Sequence, residues 1–295
     1  MLLPDDFMET TRPNPQKRNI LIRRIARAPW WLLLAAMLII VFIYTNAPNP
    51  IYQEVFAQVR QGIWTTIWVS VVAYIISVLM GLVLALLRRS QNVVIYQVAT
   101  MYIEIVRGIP TLVLVYFIVL ALTPQFVTLV NELGAWMVQQ GVLTEIGASL
   151  SDLRTRNIDN SARAIVGLAI SYSAFISEIF RAGIDSIDRG QYDAAFSMGM
   201  TRWQAMRLVI LPQAFRVVVP PLANDFIALL KESSLVSIVG VEDITREGGT
   251  YGAANFRFFE SYTVVAVTYL VLTLSLSSMV KLVETYLNRG RRREA

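Results

Sequence analysis

Ile63–Leu87 reads IWTTIWVSVVAYIISVLMGLVLALL, a run without a single charge, and Arg88-Arg89 follow at once. As a helix rising 1.5 Å per residue, this run exceeds the roughly 30 Å of hydrocarbon in a bilayer, and the arginine pair marks where it leaves the membrane. Working outward, comparable runs lie at Ala28–Ala47, Val98–Leu122, Ala162–Phe180, Val217–Val239 and Tyr262–Leu282, so six transmembrane helices are expected. With 55% hydrophobic and 16% charged residues in 295, the chain has the composition of an integral membrane protein, and its mean hydropathy of +0.53 agrees. The expected fold class is an all-α, polytopic membrane protein.

The chain has no Cys and no His. That removes disulfides, thiolate nucleophiles, Cys/His metal sites and imidazole acid–base catalysis together. The net charge of +5 reflects basic loops rather than a nucleic-acid surface, because its distribution is one-sided. Eighteen of the 26 Lys and Arg fall in four places: before the first run, at Arg88-Arg89, between the fourth and fifth runs, and after the last. The opposite loops hold Arg60, Arg154, Arg156, Arg163, Arg246 and Arg257. The positive-inside rule therefore places both termini in the cytoplasm.

Residues 1–27, with Pro4, Pro13 and Pro15, read as a cytoplasmic tail rather than a cleaved signal, because the basic region is too long and further spans follow. Residues 288–295 read as a second, basic tail. The stretch 123–161 is expected outside, with Leu129, Leu133, Trp136 and Met137 at the spacing of a short amphipathic helix.

Proline interrupts two spans, at Arg107-Gly108-Ile109-Pro110 and at Pro220-Pro221, so both helices are expected to kink or break there and free backbone groups to line a cavity. Near these points lie Glu104, Arg107, Glu178, Arg181, Asp225 and the Lys231-Glu232 pair. Charges at such depth face a bundle interior or a polar path. Glu104/Arg107 and Glu178/Arg181 are each spaced to pair on one helix face; Asp225, beside Asn224, has no such partner one turn away. Glu104–Gly108 also echoes Glu178–Ala182, a match too short to carry a repeat.

Between the fourth and fifth spans lies Gly190–Pro212, GQYDAAFSMGMTRWQAMRLVILP, a polar segment too long for a simple turn. Gln191–Met198 reads as an amphipathic helix with Tyr192, Ala195 and Phe196 as its apolar face and Asp193 near its positive end.

Asp193-Ala194-Ala195, Gly199 and Leu211-Pro212 follow the spacing of the EAA loop, the signature of the membrane subunits of ATP-binding-cassette importers. Further blocks resemble the permeases for polar amino acids, the histidine/glutamine/arginine/glutamate group: Gly62–Thr66, Tyr102–Pro110, Tyr172–Ile184, Gly190-Gln191, Leu211–Ala214, Pro220–Asn224 and Lys231–Leu235. Asp193 departs from the family's usual Glu. The resemblance implies a type I ABC importer permease fold over 62–287, a five-helix core to which the helix at 28–47 is an N-terminal addition. It implies that 190–212 is a cytoplasmic coupling loop, with Gly190, Gln191, Asp193, Ala194, Ala195, Gly199, Leu211 and Pro212 docking on a cytoplasmic ATPase.

The chain carries no G-x-x-x-x-G-K-[ST] loop, so no cofactor is expected on it; ATP and Mg would be bound by the partner ATPase. The resemblance further implies a second permease subunit, identical or related, and an external substrate-binding protein, all at a bacterial plasma (inner) membrane. No nucleic-acid partner and no enzymatic activity are expected. For an amino-acid substrate, Glu104, Glu178 or Asp225 would face the ammonium, and Arg107, Lys231, Asn224 and Ser173 the carboxylate. The alternative is an ATP-independent secondary transporter or channel for small polar solutes, which would have no need of the 190–212 loop.

Overall fold

A computed structural model describes residues 30–291 and is helical, with no strand among the described residues. The tail expected at 1–27 and the last residues of the one at 288–295 lie outside them. Helix α1, Trp30–Asn46, belongs to a compact unit of its own. It carries no charge, and exposed Leu33, Leu34, Met37, Leu38, Ile40, Val41 and Ile43 surround it on all sides.

The second unit begins with α2, Pro50–Leu87, whose first turn is closed by the Asn49 side chain accepting the Ile51 N–H at 3.0 Å, with Pro50 in the first turn where its missing N–H costs nothing. It continues through α3 (Val93–Gly108), α4 (Thr111–Gln139), α5 (Thr144–Ser151), α6 (Asn160–Asp185), α7 (Arg189–Ser197), α8 (Arg202–Val239), α9 (Ile244–Asn255) and α10 (Phe258–Arg291). Five helices are long and apolar enough to cross a membrane: α2, α4, α6, α8 and α10 as far as Leu282. The five-helix core and the added N-terminal helix are thus both present as helices.

The third span differs from its expected place. Apolar residues ran from Val98 to Leu122, but Pro110 forces Ile109 into extended backbone (φ −101°, ψ 130°) and divides the run into α3 and α4. Helix α4 then continues unbroken through 123–139, residues expected to be an external insertion. Short α5 packs back on it where Gly134 and Gly147 let the two backbones meet. At Pro220-Pro221, where a kink or break was expected, there is no break: both prolines lie inside the helical segment Leu211–Glu232. The irregularities of α8 are elsewhere, a π-helical turn at Met206–Ile210 and a 3₁₀ segment at Ser233–Val239. A second π turn, Phe117–Leu122, interrupts α4. Each π turn ends within two residues of a proline, Pro124 or Pro212, where a widened turn makes room for the ring against the carbonyl one turn back.

The core lies where α2, α4, α6 and α8 meet, around Val69, Ala73, Val115, Leu168, Tyr172, Ile176 and Leu229. Small polar side chains let α2 and α6 approach closely: buried Ser77 donates to Ala73 O at 2.7 Å and Ala169 O at 3.3 Å. On the other face of α2, Ile75, Leu79 and Val83 recur every four residues and are exposed, an apolar stripe suited to lipid.

Candidate functional site

The α6–α8 connection is built by local rules. Asp188 caps α7 by accepting the Gly190 N–H at 2.6 Å, placing a carboxylate on the positive end of the helix. Gly199 ends it with φ +79°, a left-handed conformation costly for any residue with a Cβ. Met200 N–H then reaches Ala195 O at 3.1 Å and Gly199 N–H reaches Phe196 O at 2.9 Å, the paired closure of a Schellman turn. Two residues on, Thr201 and Gln204 start α8 with a reciprocal capping box. Gln213 joins the two helices, donating its amide to Gln191 Oε1 at 3.1 Å and to Val209 O at 3.0 Å. Leu211-Pro212 follow the π turn and open the main length of α8.

The apolar face expected on α7 is corrected. Tyr192 packs inward on a cluster with Ile184, Ile210 and Ala214, and Ala195 is buried, so both serve the protein's own packing. Phe196 remains outward at 43% exposure, joined by Met198 at 77% and Trp203 at 67%. Asp193 and Ala194 are exposed beside them.

The charged residues expected along a pathway fall into two sets. The first is an ion network centred on Glu178 of α6. Its carboxylate pairs with Arg181 at 2.7 Å, with Arg88 from the end of α2, and with Arg107 of α3 at 3.6 Å. Arg88 also reaches Glu104 at 3.6 Å, and Arg181 reaches Asp185 at 3.1 Å, which Arg89 also pairs with. Glu178/Arg181 form the expected pair on one helix; Glu104 and Arg107 do not, and each is engaged across helices. The two echoing segments thus meet in one network. The Arg107 guanidinium also lies 5.9 Å from the centre of the Phe175 ring. Ser173 is fully buried, sharing a 2.9 Å hydrogen bond with the Tyr102 phenol. Arg88 was legible only as a cytoplasmic-side charge; nothing in its spacing pointed to Glu178.

The second set is on α8 and makes no ion pair among the described residues. Asp225 Oδ2 and Glu232 Oε2 are buried without hydrogen-bond partners. Asn224 is exposed and donates to Pro220 O at 3.2 Å. Lys231 is exposed and borders an open pocket of about 530 Å³ between the first turn of α4 and the end of α8, with Thr111, Glu232 and Ser234. Glu232 was noticed in the sequence only as the neighbour of Lys231, and Thr111 not at all. Among the described residues no cluster of acidic side chains has the grouping of a metal site.

Residues 77–289 match the family described as the inner membrane component of binding-protein-dependent transport systems. The chain is 35% identical over 234 residues to the probable amino-acid permease protein YxeN of Bacillus subtilis, covering 79% of this chain and 93% of that one. It is 34% identical over 224 residues to the glutamine transport system permease protein GlnP of Escherichia coli, covering 76% and 90%. Among solved structures, an amino acid ABC transporter crystallised with histidines superposes with a TM-score of 0.63 at 36% identity, over 80% of this chain and 95% of that one. The methionine transporter MetNI, at 21% identity and a TM-score of 0.58, shares the fold. Family match, relatives and helix inventory agree, and the chain belongs to the inner membrane components of binding-protein-dependent transport systems, multi-pass membrane permeases rather than enzymes.

Proposed function

We propose that this chain is the membrane subunit of an ATP-driven importer of polar amino acids, and that α7 with the start of α8 couples it to a cytoplasmic ATPase. The observation that carries the coupling is the outward apolar group Phe196, Met198 and Trp203, on α7, its C-terminal turn and the first turn of α8, held in place by the Asp188 cap, the Schellman turn and the Thr201 capping box. An exposed apolar patch on a rigid polar loop is suited to a partner's groove. Closure of the ATPase pair around ATP and Mg would pull on α7, and the Gln191–Gln213 link would pass that movement into α8. The amino-acid substrate rests on the relatives' names. On the same reading, both termini are cytoplasmic, a second permease subunit, identical or related, completes the path, and an external binding protein delivers the solute.

Phe196→Asp with Trp203→Asp tests this. The doubly substituted permease should reach the membrane and unfold at the normal temperature yet fail to copurify with the ATPase. Copurification and amino-acid-stimulated ATP hydrolysis at the level of the unaltered protein would exclude the docking role.

A further inference from the structure

Helix α4 outlasts the bundle it belongs to. At Thr111–Gln139 it is about 43 Å long, against roughly 30 Å of hydrocarbon, and it carries no charge before Glu132. Its first half packs on α6, with Val115 against Gly167. Residues 123–139 pack instead on α5 and on the turn Thr155–Asn157.

That outlying half has three faces. Buried Val127 and Gly134, with half-buried Val130 and Met137, form the packed one. The other two are sorted by polarity: Phe126, Leu129, Leu133 and Trp136 are exposed on one, Gln125, Thr128, Glu132 and Gln139 on the other. A helix whose packed face already meets its own protein gains nothing in water from a second apolar face. Side by side with a polar one, that face fits a surface between hydrocarbon and water.

The apolar face also continues the side that the spanning half turns to lipid. In an uninterrupted α-helix the nine residues from Phe117 to Phe126 turn through about 900°, which sets the two rings on opposite sides. The π turn Phe117–Leu122 takes one residue more for its turn and so brings Phe126 back by about 100° towards the side of Phe117. Exposed Val113, Phe117 and Leu122 thus lead into Phe126. At the far end, Val142, Leu143 and Ile146 are exposed on the tip that joins α4 to α5. Leu143 is left-handed there, with φ +48°, a conformation rare for leucine and one that no contact of its exposed side chain repays. The tip is held rigidly, because Gly134 and Gly147 let α5 lie directly on the backbone of α4.

We propose that the α4–α5 hairpin lies on the bilayer surface, with the face from Phe126 to Trp136 and the tip at Leu143 set among the acyl chains and Glu132 turned to water. The leaflet is the one opposite α7, which is the outer leaflet on the reading that α7 is cytoplasmic. Trp136 then takes the interfacial level that indole rings favour. The hairpin anchors the connection between α4 and α6 at the membrane instead of holding it up in solution.

Because the chain has no cysteine, one introduced thiol at a time can carry a nitroxide spin label. Leu129→Cys, Leu133→Cys and Leu143→Cys report the apolar face and tip, Thr128→Cys and Glu132→Cys the polar face. Ile75→Cys, in the lipid-facing stripe of α2, and exposed Asp152→Cys serve as references for lipid and water. The full-length permease is reconstituted in vesicles of phosphatidylethanolamine and phosphatidylglycerol, and collisions of the label are measured with oxygen, which concentrates in hydrocarbon, and with a neutral nickel chelate, which stays in water. The ratio of oxygen to nickel collisions should be higher at the three leucine positions than on the polar face by about tenfold, because a polar complex is disfavoured in hydrocarbon. Equal ratios on the two faces, at the level of Asp152→Cys, would set the hairpin in water and overturn the proposal. Few collisions with either reagent at the leucine positions would mean that a protein, a second copy or an external partner, covers the face, and would overturn it equally. If a leucine variant does not assemble, Phe126→Cys or Val142→Cys, on the same face and tip, takes its place. The readout involves neither transport nor sidedness, so the proposal can fail while the functional reading stands.

Discussion

Arg88, the first residue after α2, pairs with Glu178 of α6, and that contact anchors a network in which one carboxylate meets three guanidinium groups. Arg88 and Glu178 are each more than four-fifths screened from solvent, so the network gains from a lower local dielectric while the charge count leaves Glu178 in the minority. Removing the carboxylate would leave Arg88 only its 3.6 Å contact with exposed Glu104, and Arg107 without an ion pair among the described residues. Glu178→Gln should therefore lower stability by about 1–3 kcal/mol, whereas Glu104→Gln, an exposed side chain with one 3.6 Å contact, should cost under about 1 kcal/mol. Thermal unfolding of the two purified variants in one detergent checks the ratio. Equal effects would show that Glu178 is not the centre of the network.

The turn after α7 makes a second prediction. Gly199 has open space around a hypothetical Cβ but a φ of +79°. Gly199→Ala therefore clashes with no neighbour and is strained only in its backbone, at about 1 kcal/mol. That is too little to unfold the protein but enough to loosen a nine-residue helix held by its end turns. Bulk melting temperature should stay within a few degrees, while proteolysis between Ser197 and Arg202 accelerates. Gly108→Ala, in open space without the unusual backbone, should do neither.

How far the sequence disclosed this architecture depended on the range of the interaction. Helices with their own cap and an uncharged length, such as α2 after Asn49 and α6 after Asp159, needed only local information. Gly199 and Leu211-Pro212 were legible because turns and prolines act within a few residues. Hydropathy misplaced the third span because Val98–Leu122 is apolar on both sides of Pro110; only the structure shows α3 held against α6, by Tyr102 and Arg107. Pro220-Pro221 do not end their helix, because membrane helices tolerate proline where packed neighbours and side chains re-satisfy the freed backbone groups. At the site, i,i+3 spacing suggested Glu104/Arg107 as a pair, but both found partners at distances in sequence that no periodicity encodes. Glu232 became notable only once its unanswered buried oxygen was visible.

Gly62 makes a third prediction, through a close approach of two backbones. A Cβ there would overlap the carbonyl carbon and oxygen of Asp243 and the nitrogen of Ile244. That backbone cannot retreat cheaply, because Ile244 N–H donates to the Thr66 hydroxyl at 3.1 Å, and Thr66 donates in turn to Gly62 O at 3.0 Å. Gly62→Ala should cost about 2–3 kcal/mol through overpacking and a lengthened hydrogen bond. Gly249→Ala, whose nearest contact is the Tyr262 phenol oxygen at the far end of a side chain able to swing away, should cost less. Melting temperatures of both variants in detergent test the order; equal losses would mean that the α2–α9 contact yields as readily as a side chain.

Asp243 itself makes stability depend on pH. It is fully buried at the start of α9, where it accepts the Arg246 N–H at 2.8 Å and the Tyr269 phenol at 3.1 Å. Among the described residues no cation pairs with it, so burial outweighs these donors and pushes its carboxyl up to about 6 from an ordinary 3.8. The folded protein thus holds this proton to higher pH than the unfolded chain does. Its contribution is complete below about pH 4 and is lost as pH rises to about 6, a change of about 2–3 kcal/mol. Asp243→Asn keeps an oxygen for the cap and removes the titration. The difference in unfolding free energy between the unaltered protein and Asp243→Asn, measured in detergent from pH 4 to pH 7.5, should move in favour of the variant as pH rises and level off above about pH 6. A difference that stays constant across this range would mean that Asp243 is charged throughout and that its two donors outweigh its burial.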